Sequence, residues 1–133
     1  MTSPDADAPI VQIDIVSDVM CPWCIVGYKQ LEQALGLTGA GAFVRWHPFE
    51  LNVNMPPEGQ NLREHVAEKY GSSPEDSAKA RDNITAMGAE YGFEFDYFDD
   101  MRVVNTRDAH ILLGYAFEQG LQHELKQRLF AAF

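Results

Sequence analysis

The chain has 133 residues, 46% of them apolar, which suffices for one domain with an ordinary core. A formal charge of −10 disfavours nucleic acid and anionic membrane as partners, and no stretch approaches the length of a membrane span. Two cysteines, and a polar start without the basic-then-apolar pattern of a secretory signal, point to a reducing, cytoplasmic setting.

Residues 1–9 read as a disordered tail. Residues 10–16, Ile-Val-Gln-Ile-Asp-Ile-Val, are β-branched and apolar and predict a buried strand. Ser17 to Met20 form a connection. Cys21 then falls in the N-cap region of a helix running to about Leu37. Pro22 takes its first position, where a fixed φ and a missing N–H are harmless. Gly39 and Gly41 mark a loop, and Phe43 to His47 predicts a second strand, ended by Pro48. Residues 10–52 thus read as a βαβ unit.

Residues 53–133 read as a helical block. Asn61 with Glu64 three residues on predicts a capped helix with Leu62, Val66 and Tyr70 on one face, closed by Gly71. Ser73-Pro74 opens a second, with the stripe Ala80, Ile84, Met87 and Tyr91, stopped by Gly92. The acidic, aromatic run from Phe93 to Asp100 shows no period and reads as a packed loop. Asn105 predicts the cap of a third helix with Ala109, Leu112, Leu113, Ala116 and Phe117 inward. Leu121, Leu125, Leu129 and Phe133 predict the apolar face of a fourth. Two parallel strands make a poor finished sheet, so the chain is expected to be the first part of a larger α/β domain.

Cys21-Pro22-Trp23-Cys24 carries the chemistry. A Cys-x-x-Cys pair where a strand hands over to a helix is the arrangement that thiol–disulfide exchange requires. A free thiol has a pKa of about 8.5 and is only about 3% thiolate at pH 7. The helix start favours an anion by up to ~2 kcal/mol, so Cys21 is expected to be the more acidic sulfur and the nucleophile. Cys24, one turn on, is expected to resolve the mixed disulfide. Asp18 opposes ionisation of Cys21 if it points at the sulfur. It reads either as a loop or capping residue or as a proton acceptor. Trp23 reads either as an apolar lip for substrate or as a packing residue, and Trp46 as core. A closed structural zinc site needs four ligands, and nothing in the spacing brings His47 to the cysteines, so no metal is expected. His65, His110 and His123 share no spacing with it. His110, beside an apolar stripe, reads as a half-buried, satisfied imidazole.

The run Ile15-Val16-Ser17-Asp18 before Cys21-Pro22-Trp23-Cys24 resembles the start of a DsbA-family thioredoxin-fold protein. Arg45 to Asn52, Met55 to Gly59, Gly88 to Phe93 and Asn105 to His110 resemble its FrnE-like branch. The resemblance covers about residues 10 to 133. It implies an α/β thioredoxin-like fold interrupted by a helical insertion, with Cys21 as nucleophile and Cys24 as resolving cysteine. In the family, further strands follow the insertion, one beside a cis-proline that faces the cysteines. No proline of this chain lies there, so the C-terminal strands are expected to be missing. Position 25 is Ile, where many relatives carry an aromatic residue.

The implied activity is disulfide exchange with protein or small-thiol substrates, with no cofactor beyond the cysteine pair, glutathione admissible as co-substrate, and a homodimer admissible. A neighbouring branch holds glutathione-dependent isomerases and kappa-class transferases, which typically carry serine where this chain has Cys21. That role, and a redox-silent fragment binding a partner through an open sheet edge, are the alternatives.

Overall fold

A computed structural model describes residues 10–132; the tail read at 1–9 lies outside them, as does Phe133. Strand β1 (Ile10–Ser17) pairs in parallel with β2 (Gly41–Pro48), from Ile10 opposite Gly41 to Ser17 opposite Pro48. Helix α1 (Pro22–Thr38) connects them and ends at Gly39, whose φ of 67° is the left-handed conformation that glycine adopts without strain.

Ile25 and Tyr28 of α1 and Trp46 of β2 form the core together with Phe130 from the last helix. Ile15, Leu31, Val44, Phe93 and Phe95 pack around them. The expectation that β1 is buried is corrected. Among the described residues only β2 pairs with it, so Ile10 and Val16 stay 77% and 63% exposed.

Beyond β2 the chain is helical with one small addition. Strand β3 (Gln60–Asn61) leads into α2 (Leu62–Tyr70), then α3 (Pro74–Glu90), strand β4 (Arg102–Val103), α4 (Arg107–Glu118) and α5 (Gln122–Ala132). The Asn61 carboxamide accepts from the N–H groups of Arg63 and Glu64, and Ser73 Oγ accepts from that of Asp76, so both caps form where the sequence places them. The two-residue antiparallel pair β3–β4 has no sequence signal of its own. It depends on Gly59, whose φ is 71° and whose Cα lies so near the Val103 carbonyl that no Cβ fits.

Three helix expectations are corrected. Thr106, not Asn105, occupies the N-cap of α4. Asn105 still accepts from the Arg107 N–H at 2.9 Å and donates to the Met55 carbonyl, so it turns the chain into the helix and ties it to the loop after β2. Leu112 of α4 faces out, while His110, Leu113 and Ala116 are buried. In α5 the buried face is Gln122, Lys126 and Phe130, one position on from the leucine stripe. The physical reason is the free edge of β2. The Gln122 carboxamide accepts from the Trp46 N–H at 2.9 Å and donates to the Trp46 carbonyl at 3.0 Å, as a neighbouring strand would. Orienting α5 for that bridge brings Lys126 inward and leaves Leu121 exposed.

Candidate active site

Cys21 caps α1. Its backbone is extended, its carbonyl accepts from the N–H groups of Cys24 and Ile25, and its sulfur receives the Cys24 N–H at 3.4 Å. No acidic residue stands in the first turn of the helix to oppose a negative charge there. Both cysteines are free thiols and partly accessible. The Cys24 thiol is the strongest influence on the Cys21 sulfur. That influence, opposed by burial and helped by the backbone N–H groups of Cys24 and Trp23, brings the Cys21 thiol down to about 6 against the repulsion of Asp18. Cys24 is pushed strongly the other way by its pairing with Cys21, by burial and by the Cys21 charge. The pair therefore shares one proton, and Cys24 holds it.

Pro22 is the first residue of α1, and Trp23 stands 54% exposed beside the cysteines. Pro22 also borders a mainly apolar cleft of about 80 Å³ between the cysteine turn and the helical block. Val19, Met20, Phe95, Tyr97 and Met101 form its other principal walls. Phe93, Phe95 and Tyr97 turn inward while Glu94 and Asp96 point out. The run read as lacking a period thus alternates like a strand without pairing as one. That alternation was the available signal.

Asp18 is 2% exposed and held on several sides. Its Oδ2 accepts from the Leu51 N–H at 2.9 Å, and its carbonyl accepts from the Cys21 N–H at 3.3 Å. His110 Nε2 lies 3.4 Å from Oδ1, and neither atom has a well-directed hydrogen bond. Burial pushes the carboxyl up, but His110, the Leu51 N–H and the Thr106 hydroxyl outweigh it and hold Asp18 below the usual carboxylate range. Asp18 therefore turns the loop and stays ionised. The reading of His110 as a half-buried, satisfied imidazole is corrected, since the ring is buried against this carboxylate and its Nε2 has no well-directed hydrogen bond.

Lys126 is 1% exposed, with its Nζ 5.0 Å from the Trp46 ring centre and 5.1 Å from that of Phe130. Burial lowers its pKa to about 8, while Asp18 and the cysteine pair resist that shift. Sequence reasoning missed Lys126, Thr106 and Leu51. Nothing in the spacing marked this cluster, because the leucine stripe of α5 lies one position away from Lys126. His47, by contrast, is drawn away from the cysteines by Asp14, at 2.8 Å, and among the described residues no three His, Cys, Asp or Glu side chains converge as metal ligands.

A family model described as DSBA-like thioredoxin domain matches residues 12–133. The uncharacterized protein YwbO of Bacillus subtilis (strain 168) is 28% identical over 123 residues, which are 92% of this chain and 56% of that protein. The crystal structure of a probable DsbA oxidoreductase from Streptomyces coelicolor superposes with a TM-score of 0.82 at 31% identity, over 90% of this chain and 52% of that one. The chain spans about half the length of these relatives.

Proposed function

The chain belongs to the DSBA-like thioredoxin domain family, and from that premise we propose that Cys21 and Cys24 exchange disulfides with a thiol or disulfide substrate. The fold is the thioredoxin-like α/β fold that the sequence resemblance implied. The observation that carries the reading is the Cys21 sulfur at the start of α1, receiving the Cys24 N–H while Cys24 keeps the shared proton.

The reaction follows from that asymmetry. With a midpoint of about 6, Cys21 is about 90% thiolate at pH 7, against about 3% for a free thiol. The thiolate attacks one sulfur of a substrate disulfide and expels the other as thiolate. Cys24 then loses its proton and attacks Cys21, and the second substrate sulfur leaves. The reverse sequence oxidises a substrate dithiol. A Cys21 thiolate this favoured stabilises the reduced pair and so makes the oxidised pair a better oxidant. The apolar cleft beside Pro22 and the exposed Trp23 suit a polypeptide segment flanking the reacting sulfur. The FrnE-like branch belongs to this reading, supported by the segments from Arg45 to Asn52 and from Asn105 to His110. Cysteine rather than serine at position 21 favours exchange over the glutathione-dependent branch.

The test is a pair of single variants. Cys21→Ser is expected to abolish reduction of a model disulfide, and Cys24→Ser to accumulate a mixed disulfide through Cys21, read by mass spectrometry. Wild-type rates in both would end the reading.

A further inference from the structure

We propose that the cleft framed by Met20 and Pro22 selects the substrate, taking the aliphatic side chain that adjoins the reacting cysteine of a polypeptide, with Met20 as a specificity-determining residue. This rests on the exchange reading and names the substrate class that the same site takes.

The residues on either side of Cys21 in the chain, Met20 and Pro22, both line the cleft, so the nucleophile stands at its rim. Each of their α-carbons is one step of about 3.8 Å from that of Cys21. In a mixed disulfide the α-carbons of Cys21 and the substrate cysteine stand about 5.5–6 Å apart, and the next substrate residue is one further step away. A side chain adjoining the reacting cysteine therefore falls within reach of the cleft. Size and lining decide which side chain enters. At about 80 Å³ the cleft is well below the roughly 300–1,000 Å³ of sites that enclose whole ligands, so it has room for one side chain and not for a cofactor-sized molecule. Leu62, Phe95 and Met101 give it aliphatic, aromatic and thioether walls. Of its two charged residues, Arg102 is already engaged, donating to the Glu58 and Gly59 carbonyls at 3.0 to 3.1 Å, and Asp96 is exposed. Each methylene withdrawn from water there favours binding by about fourfold. A carboxylate would lose its water with no free donor to receive it.

Met20 links the two sides of the cleft. It belongs to the cysteine turn, yet its Sδ accepts the N–H of Val104, the residue after β4, at 3.4 Å. The thioether thus supplies an acceptor for a backbone group of the helical block and fixes one end of a flexible side chain beside Cys21. The cleft otherwise stays adaptable, because Met20 and Met101 are unbranched and polarisable and repack around the apolar shape that enters. Selection is therefore for an aliphatic neighbour as a class. Asp96 sets like charge against an acidic one.

The experiment reacts the reduced chain with short peptide disulfides whose cysteine is flanked on both sides by leucine, alanine or glutamate. Cys21 Sγ bonds to one peptide sulfur, and the other sulfur leaves with the electron pair as thiolate. The reaction is quenched with acid and followed by mass spectrometry, and each rate is divided by that of free dithiothreitol with the same peptide, which removes the peptide's own reactivity. In the wild type the leucine peptide is expected to react about tenfold faster than the alanine peptide, with the glutamate peptide slowest. Equal leucine and alanine rates overturn the proposal, and this check needs no variant. Met20→Ala is expected to cut the leucine preference at least about threefold, while its rate with 5,5′-dithiobis(2-nitrobenzoate), a small disulfide with no side chain for the cleft, changes by less than about twofold. An undiminished preference in Met20→Ala overturns the proposal, and so does an equal loss with both disulfides, which marks a general role in folding. Met20→Leu keeps the apolar bulk without the thioether, so its preference is expected to lie between those of Met20→Ala and the wild type, with faster hydrogen exchange at the Val104 amide. Failure of the wild type to react with 5,5′-dithiobis(2-nitrobenzoate) would instead sink the exchange reading beneath it.

Discussion

The indole Nε1–H of Trp46 donates to Nδ1 of His123 at 3.1 Å, which requires that nitrogen to be unprotonated. The other ring nitrogen lies 2.9 Å from the Tyr28 hydroxyl, so the Nε2–H tautomer serves both neighbours. The Tyr28 hydroxyl in turn points to Glu32. Burial pulls the imidazole below its ordinary value, Glu32 resists, and Lys29 adds to the lowering. A group depressed on folding binds protons more readily in the unfolded chain. Its contribution is therefore present above about pH 6.5 and lost as pH falls toward the folded value. We expect urea unfolding to show a stability loss as pH falls through about 6.5 that is smaller in His123→Gln. The difference should stay below about 1 kcal/mol, since His123 is exposed to solvent screening. Identical pH dependence in both proteins would refute the neutral bridge.

The Cys21 thiolate gives a second pH signature. Its alkylation by iodoacetamide should be half-maximal near pH 6, not near the ordinary value of about 8.5. Because the Cys24 thiol is the largest lowering influence, Cys24→Ala should move the midpoint upward, with the backbone N–H groups of residues 23 and 24 preventing a full return. In the reduced wild type, the unfolded chain holds more protons on this sulfur between about pH 6 and about pH 8.5. Stability from this group therefore rises with pH across that window and is lost as pH falls through 6. A midpoint above about 8 in the wild type would remove the basis for the proposed nucleophile.

Gln122 offers a test of how the helical block is attached to the sheet. Its carboxamide satisfies the Trp46 N–H and carbonyl and also donates to the Leu113 carbonyl at 3.2 Å. Gln122→Leu keeps the bulk but strands two buried backbone groups, the Trp46 N–H and carbonyl, each worth about 1–3 kcal/mol when left unpaired; the Leu113 carbonyl keeps its partner within α4. Partial relaxation should leave a net loss of about 2–4 kcal/mol in chemical denaturation. Hydrogen exchange at the Trp46 amide should accelerate in step. A loss below about 0.5 kcal/mol would mean that the strand edge finds other partners.

What could be read along the chain were the features whose cause is local. Pro22 at a helix start, the caps at Asn61 and Ser73, and the glycines after α1 and α2 each act within a few residues, and the structure places them accordingly. The cysteine turn was legible for the same reason. The face of α5 was not. Hydropathy favours Leu121, Leu125 and Leu129, whereas the inward positions go to Gln122 and Lys126 because the Gln122 carboxamide bridges a strand edge far away in sequence. The neighbours of Asp18 were hidden likewise, since Leu51, Thr106 and His110 come from three separate segments. Polar residues in a core are chosen by partners that hydropathy does not see.

The aromatic run after α3 can be tested through a glycine beneath it. Gly88 lies inside α3, where alanine would normally be preferred by about 1 kcal/mol. A Cβ there would stand 2.7 Å from the Phe93 carbonyl and nearer still to the Phe95 ring, which packs against the core. The Phe93 N–H also bonds back to the Gly88 carbonyl at 2.7 Å, so the chain cannot simply lift away. Gly88→Ala should therefore destabilise by about 1–3 kcal/mol, the usual cost of overpacking. Gly36→Ala in α1 is the matched control, because nothing lies within 4 Å of the added carbon and the site is exposed; it should stabilise by about 0.5–1 kcal/mol. Phe95 also lines the cleft beside Pro22, so Gly88→Ala should weaken exchange with a peptide disulfide more than with a small one such as oxidised dithiothreitol. Equal stability changes at the two glycines would show that the aromatic segment is not seated on α3.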